Sequence, residues 1–188
     1  MTKRMINLRL TAGMAVVAGA AALAACSAPM HRMGHGAGPM AAAKLEATRG
    51  NSTSGMVMFH AMGDHLMMHA RIEGLKPGQE HGFHIHEKGD CSSGDGMSTG
   101  GHFNPTGQPH GAATSAARHA GDLPSLKADA QGRVDLKAHI KGVMIGSGAA
   151  DIVGKGLIVH AMPDDYTTQP TGNSGARLAC AVIVRHPG

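Results

Sequence analysis

The stretch that decides the fold class is GMVMFHAMGDHLMMHARIEGL, residues 55–75. Apolar side chains alternate on both sides of Gly63 and Asp64, and successive residues of a strand point to opposite faces of a sheet. A short glycine-containing turn between two alternating runs is typical of a β-hairpin. The stretch therefore predicts two antiparallel strands. Their facing pairs would be Met62 with His65, His60 with Met67, and Met58 with His69.

Short alternating runs between glycine-rich turns recur from residue 44 to the end of the chain, and the sequence holds 28 glycines. These runs are KLEATR (44–49), HGFHIHE (81–87), SLKADA (125–130), RVDLKAHI (133–140), KGLIVHA (155–161) and RLACAVIV (177–184). Helical periodicity is absent from this region. We predict an all-β sandwich or barrel of about eight antiparallel strands. Two long non-periodic stretches, 88–124 and 162–176, are expected to be functional loops.

The first 25 residues have the features of a signal peptide. Lys3, Arg4 and Arg9 precede an apolar run that is shorter than the roughly 20 residues of a spanning helix. The run ends in LAAC (23–26), which resembles a bacterial lipobox, so we expect lipidation at Cys26; a plain secretory signal is the alternative. Ser27 then indicates sorting to the outer membrane, and the expected location is the periplasmic cell envelope.

Residues 26–43 are rich in Gly, Pro, Ala, Met and His and show no periodicity that could bury a face. We interpret them as a flexible tether between a lipid anchor and a domain that spans 44–188. Without the three basic residues of the signal segment, 14 Lys and Arg balance 13 Asp and Glu. No basic stripe with interleaved aromatic residues remains, so nucleic acid is not an expected partner.

Cysteine usage agrees with an exported protein. If Cys26 carries lipid, Cys91 and Cys180 remain as an even pair in an oxidising compartment. A disulfide between them is the simplest prediction.

The chemistry is expected to come from histidines. Alternate residues of a strand lie on one side about 7 Å apart, so His84 and His86 could reach one metal ion, although such a pair alone is equally typical of exposed side chains. Five further candidate ligands lie in three other places: His102; His110, His119 and Asp122; and His160. Several imidazoles with one carboxylate suit copper and zinc.

Five motifs together resemble the copper/zinc superoxide dismutase family. They are GFHIH, GHFNP, RHAGDL, LIVH and GNSGARLAC, in the family's order, and the resemblance covers residue 44 to the end of the chain. It implies a Greek-key β-barrel with one copper and one zinc per subunit. By this resemblance copper binds His84, His86, His102 and His160. Zinc binds His102, His110, His119 and Asp122, so that His102 bridges the two ions.

The resemblance also implies the reaction. Copper would cycle between Cu(II) and Cu(I) while superoxide becomes oxygen and hydrogen peroxide, which would protect the envelope. Arg177, which would attract the anion, and the shared His102 are the expected catalytic residues. Asp164 would hydrogen-bond ligands of both metals, and the Cys91–Cys180 disulfide would tie the metal loop to the sheet. A non-catalytic copper-binding or copper-delivery lipoprotein on the same fold is the alternative, and whether the protein is a homodimer stays open.

The Met and His residues of the hairpin raise a separate hypothesis. In the family the side that carries Phe59 is buried, so the face with the Met and His pairs should point outward. Thioether and imidazole ligands suit Cu(I), and MHRMGHGAGPM (30–40) has the same composition. We consider weak copper capture against the alternative that Met and His merely fill a tolerant exposed or subunit-facing surface.

Overall fold

The computed structural model describes residues 38–187, which form ten β-strands and a single 3-10 turn at Met97–Thr99. The predicted signal peptide (1–25), Cys26 and most of the predicted tether lie outside the described residues. The strands are β1 (Met40–Ala47), β2 (Ser54–Met62), β3 (His65–Glu73), β4 (Glu80–His81), β5 (Phe83–His86), β6 (Leu126–Lys127), β7 (Val134–Lys141), β8 (Gly156–His160), β9 (Arg177–Val182) and β10 (Val184–His186).

Eight strands form the main sheet, in the order β5-β8-β9-β1-β2-β3-β7, with β10 paired to β1. The short strands β4 and β6 pair separately. All of these pairings are antiparallel. The prediction of an all-β fold with about eight antiparallel strands is confirmed. Among residues 38–187, no helix is long and apolar enough to cross a membrane.

The β2–β3 hairpin has the predicted register. Met62 pairs with His65, His60 with Met67, and Met58 with His69. The alternate residues point into the core, where Val57, Phe59, Leu66 and Met68 are at most 2% exposed. Burying a side chain such as Phe59 stabilises the fold by about 1.5–3 kcal/mol, so a one-residue slip of this register would be costly.

The first strand begins at Met40, four residues before the start expected at Lys44. Ala41 and Ala43 are fully buried, and the strand pairs with β2 and β10 from Met40 onward. Alanine has low strand propensity, which is why this segment resembles a linker in sequence. The neighbouring strands bury these small side chains, so the segment is part of the sheet.

The disulfide between Cys91 and Cys180 is present, with the two Cα atoms 6.0 Å apart, as predicted. It joins the start of the long loop after β5 to the middle of β9, across 89 residues of sequence. This loop and the loop before β9 meet above β5 and β8, where the histidines converge.

Candidate metal centre

Strand β5 and the loop that follows it bring the first ligands together. All four residues of β5 are buried, and His84 and His86 share one side of the strand. The loop then returns beside β5, where isolated bridges pair His86 with His102 and His84 with Asp122. Main-chain hydrogen bonds between Ile85 and the loop fix this arrangement. Loop residues far away in sequence are therefore held beside a rigid strand.

Four buried histidines form the first donor group: His84, His86, His102 and His160. One ring nitrogen from each lies within 4.8 Å of the others. Nδ1 of His84 and Nε2 of the other three are buried and find no hydrogen-bond partner among the described residues. A buried nitrogen without a partner is costly, and one metal ion would satisfy all four.

The opposite ring nitrogens are held by the protein. His86 Nδ1 donates to the Gly100 carbonyl at 2.9 Å, and His160 Nδ1 donates to the Gly175 carbonyl at 3.3 Å. His84 Nε2 donates to Asp164 Oδ2 at 2.7 Å. These bonds fix each tautomer so that a lone pair remains on the nitrogen of the donor group.

Burial keeps three rings of this group neutral, those of His84, His86 and His160. It lowers the pKa of His84 to about 4, and the pKa values of His86 and His160 well below that of an ordinary histidine. Only a neutral imidazole can bind a metal, so these rings are in the ligating state at neutral pH without losing a proton. A set of imidazole nitrogens is the chemistry that suits copper.

The second donor group contains His102, His110, His119 and Asp122. Asp122 Oδ1 lies 2.9, 3.1 and 3.4 Å from the Nδ1 atoms of His102, His110 and His119. The Nδ1 atoms of His119 and His102 are 3.3 Å apart. Four ligands at the corners of a tetrahedral zinc site, each about 2.0–2.1 Å from the ion, would lie about 3.3 Å from each other. The observed distances therefore fit zinc.

Electrostatics at the second group favour a cation. Although burial opposes it, the carboxylates of Asp122 and Asp164 raise the pKa of His110 to about 9. Burial would also raise the pKa of Asp122, yet the adjacent His102 and His110 rings hold it well below its usual range. Asp122 Oδ2 accepts main-chain N–H groups from Gly111 and His119 at 3.1 and 2.9 Å, which leaves Oδ1 facing the group.

His102 belongs to both groups through different ring nitrogens. Its Nδ1 faces Asp122, and its buried Nε2 belongs with the first group. The ring stacks on His84 with the centroids 3.9 Å apart. One imidazole thus lies between the two candidate ion positions.

Asp164 accepts hydrogen bonds from one histidine of each donor group. Its Oδ2 accepts from His84 Nε2, and its Oδ1 accepts from His110 Nε2 at 2.9 Å and from the Tyr166 main-chain N–H at 2.8 Å. Burial opposes ionisation, but these hydrogen bonds hold the pKa of Asp164 well below its usual value. Gly172 has a φ of +68°, and a Cβ there would collide with the Asp164 carboxylate and the His110 ring. Only glycine therefore fits at position 172 of this loop.

A cavity of about 260 Å³ opens beside the first group. His86, His102 and His160 form part of its wall, together with Thr171, Asn173 and Arg177. Arg177 Nη1 donates to the Gly96 carbonyl at 2.7 Å and to Thr99 Oγ1 at 2.6 Å, and Nη2 donates to the Gly100 carbonyl at 2.9 Å. The guanidinium is therefore fixed at the edge of the cavity.

Several supporting contacts were not predicted from the sequence. The Gln169 side chain accepts from the His110 main-chain N–H at 2.8 Å and donates to the His110 carbonyl at 3.0 Å. The Gly100 and Gly175 carbonyls that hold His86 and His160 are main-chain atoms of loops. No residue-type pattern marks such contacts, because any residue could supply a carbonyl.

The copper/zinc superoxide dismutase family model matches residues 53–183 of the chain. The chain is 41% identical over 123 residues to the superoxide dismutase-like protein YojM of Bacillus subtilis, a match that covers 63% of each protein. It is 38% identical over 122 residues to a Cu-Zn superoxide dismutase of Aquifex aeolicus, covering 63% of this chain and 71% of that protein. The chain thus spans less than two thirds of the length of the Bacillus relative.

Solved structures share the fold. The clock protein EA4 superposes with a TM-score of 0.70 at 35% identity, over 77% of this chain and 93% of the other. A superoxide dismutase-like protein of Bacillus subtilis, in a variant with a tyrosine and a proline replaced by histidines, gives 0.69 at 37% identity, over 76% and 96%. The Greek-key barrel is confirmed, and the family's cofactors, copper and zinc, match the two donor groups. The chain belongs to the copper/zinc superoxide dismutase family.

Proposed function

We propose that this protein converts two superoxide anions and two protons into oxygen and hydrogen peroxide. Copper would be held by the first donor group and zinc by the second. The observation that carries this proposal is the pairing of two complete donor groups through His102 with a cavity that ends at Arg177. Copper supplies the one-electron redox couple, and zinc, which has no redox chemistry, supports the shared ring.

Arg177 is assigned to anion binding. Three of its N–H groups are used by Gly96, Thr99 and Gly100, and the guanidinium has five, so two can contact a small anion. Arginine is always charged and strongly directional, and among the described residues that line the cavity Arg177 is the only Lys, Arg, Asp or Glu. It therefore attracts superoxide and orients it toward the histidine wall.

His102 is assigned to proton handling. Its Nε2 is buried, has no protein partner among the described residues, and belongs to a ring that lines the same cavity. A proton held there lies close to the bound anion, while Nδ1 stays in place beside Asp122. Asp122 holds the ring at Nδ1 and His84 stacks on its face, so the ring can gain and release a proton at Nε2 without moving.

We further propose that the enzyme acts in the cell envelope, anchored through a lipid at Cys26. The LAAC stretch supports this, and so does a disulfide, which persists in oxidising compartments. Mass measurement of Cys26 peptides from membranes tests it. An unmodified Cys26, or cleavage elsewhere, would contradict the anchor.

The rival function is copper binding without catalysis, and the name of the Bacillus relative, superoxide dismutase-like, gives a specific reason to consider it. Retention of Arg177 and of all seven ligands favours the enzyme. The test compares superoxide consumption by the copper- and zinc-loaded wild type with that of His160→Ala. His186→Ala, which changes an exposed histidine outside the site, is the control. Activity in His160→Ala equal to that of the control would contradict the copper assignment.

A further inference from the structure

Five adjacent residues on the outer face of the β2–β3–β7 sheet are not used by the metal centre: His60, Met62, His65, Met67 and His139. We call them the Met/His patch. We propose that the Met/His patch binds a soft monovalent metal ion, Cu(I), separately from the two donor groups of the metal centre. This inference does not rest on the dismutase activity, because a non-catalytic member of the family could carry the same patch.

Strand register places these residues side by side. Met67 pairs with His60 on one flank and with His139 on the other, so the three form one row across β2, β3 and β7. Directly opposed residues on an antiparallel pair have Cβ atoms about 4.5–5.5 Å apart. Met67 therefore lies between the two histidines in this row, so its thioether can reach an ion that both imidazoles contact.

Two more side chains adjoin this row. The His65 and His139 rings have centroids 4.9 Å apart, and Met62 is paired directly with His65. His65 Nδ1 lies 2.9 Å from Asp64 Oδ1. When that nitrogen donates to the carboxylate, Nε2 keeps its lone pair, which is the way a carboxylate commonly orients a metal-binding histidine.

The patch is accessible. Met62 is 51% exposed, His139 is exposed, and the other three residues are half-buried. The residues that alternate with them, such as Phe59 and Met68, are fully buried. Methionine is normally a buried residue, so its repeated use at outward positions of this hairpin calls for a reason other than core packing.

The choice of metal follows from the donors. Thioethers select Cu(I), whereas zinc binds thiolates, imidazoles and carboxylates. Within residues 38–187, three or more His, Cys, Asp or Glu donors converge only in the two groups of the metal centre. The Met/His patch thus needs its sulfur atoms to complete a ligand set. Lys141, the strand partner of His65, further disfavours a divalent ion.

The row continues toward the amino-terminal end of the described chain. Met40 pairs with His60 and also with His186, which adds a thioether beside the patch. Met40 is the last residue of the stretch MHRMGHGAGPM (30–40). Met40 and His186 therefore lie next to the patch.

Methionine-methyl NMR of the full chain tests the proposal. The protein is loaded with Cu(I) and Zn(II) in the metal centre, so that it is diamagnetic, and Ag(I) is added as the Cu(I) probe. We expect the ε-methyl signals of Met62 and Met67 to shift, while those of Met56 and Met144, exposed methionines outside the patch, stay in place. Excess Zn(II) should not reverse the shift.

Matched variants complete the test. His60→Gln with His139→Gln should abolish the Met67 shift, and Met56→Leu with Met144→Leu should leave it unchanged. With Met62→Leu and Met67→Leu, which conserve volume, Ag(I) should no longer perturb the imidazole signals of His60 and His139. Unmoved Met62 and Met67 signals in the wild type would overturn the proposal. A Met67 shift that survives loss of both histidines, or one that Zn(II) reverses, would also overturn it.

Discussion

His86 and Arg177 share one hydrogen-bond acceptor, the carbonyl oxygen of Gly100. His86 Nδ1 and Arg177 Nη2 each lie 2.9 Å from it. One loop carbonyl thus orients a ring of the first donor group and also holds the guanidinium at the edge of the cavity. Gly100 has a φ of +74°, and a Cβ there would press against the Glu87 side chain. In the proposed enzyme, metal binding and anion binding would therefore be coupled through this main-chain atom.

Substituting Gly100 tests this coupling. Gly100→Ala places a side chain at φ +74° and ψ −148°, a backbone region essentially restricted to glycine, at a cost of roughly 1–3 kcal/mol, and displaces the shared carbonyl. We expect lower copper affinity and a lower superoxide rate, measured by chelator competition and by superoxide decay. Gly101→Ala is the matched control, because a Cβ there meets nothing within 4 Å. If the two variants behaved alike, the Gly100 carbonyl would have no special role.

Arg177→Ala is expected to lower the rate of superoxide consumption by roughly tenfold or more, because the stretch from Asp165 to Ala176 contains no Lys or Arg that could attract the anion instead. The remaining rate should depend less on ionic strength than that of the wild type. Arg177→Lys keeps the charge but not the forked bonds to Gly96, Thr99 and Gly100, so it should be intermediate. Copper and zinc contents should stay at wild-type levels, and a parallel loss of metal would argue against the anion-binding role.

Loss of the disulfide should weaken a site that it does not touch. Replacing Cys91 and Cys180 by alanine removes a cross-link over 89 residues, which the chain-entropy model values at about 4–5 kcal/mol of unfolding free energy. The freed loop carries Gly96, Thr99 and Gly100, the partners of Arg177. Urea unfolding should show the stability loss.

The same variant should also show lower copper affinity and a slower superoxide rate under conditions where it stays folded. Unchanged copper affinity and rate in the folded variant would mean that the loop holds its position without the disulfide.

Asp164→Asn should weaken retention of both metals. The neutral amide removes the charge that faces His84 and His110, so each ring loses a charge-assisted hydrogen bond. Loss of a partner that orients metal-binding histidines typically costs 10–100-fold in metal affinity. Asp165→Asn is the control, because the adjacent Asp165 is exposed and bonds Thr167 and Thr168 instead. Loss of one metal alone would contradict the bridging role of Asp164.

The sequence predicted local features best where one physical rule decides them. The two-residue turn at Gly63 and Asp64 fixes the hairpin register, and the pairing of His60 with Met67 is as predicted. The start of β1 was misplaced because a run of alanines shows no alternation of apolar and polar residues. The burial of Ala41 and Ala43 by neighbouring strands therefore leaves no pattern in the sequence.

The metal centre depends on long-range contacts. The alternation of side chains along β5 places His84 and His86 on one side of the strand. His102 and Asp122 come to lie beside them only because the following loop folds back, and this contact joins residues that are distant in sequence. The order of family motifs pointed to these residues, whereas local pattern did not. Gly100 acts through its carbonyl, which no side-chain pattern encodes.

The most direct test of the central claim counts superoxide consumed per copper in the copper- and zinc-loaded protein. The proposed enzyme returns to its starting state after every second anion, so a single loading should remove superoxide in large excess over copper at an undiminished second-order rate. Consumption that stops after one superoxide per copper would contradict dismutation and leave a copper-binding protein on the same fold.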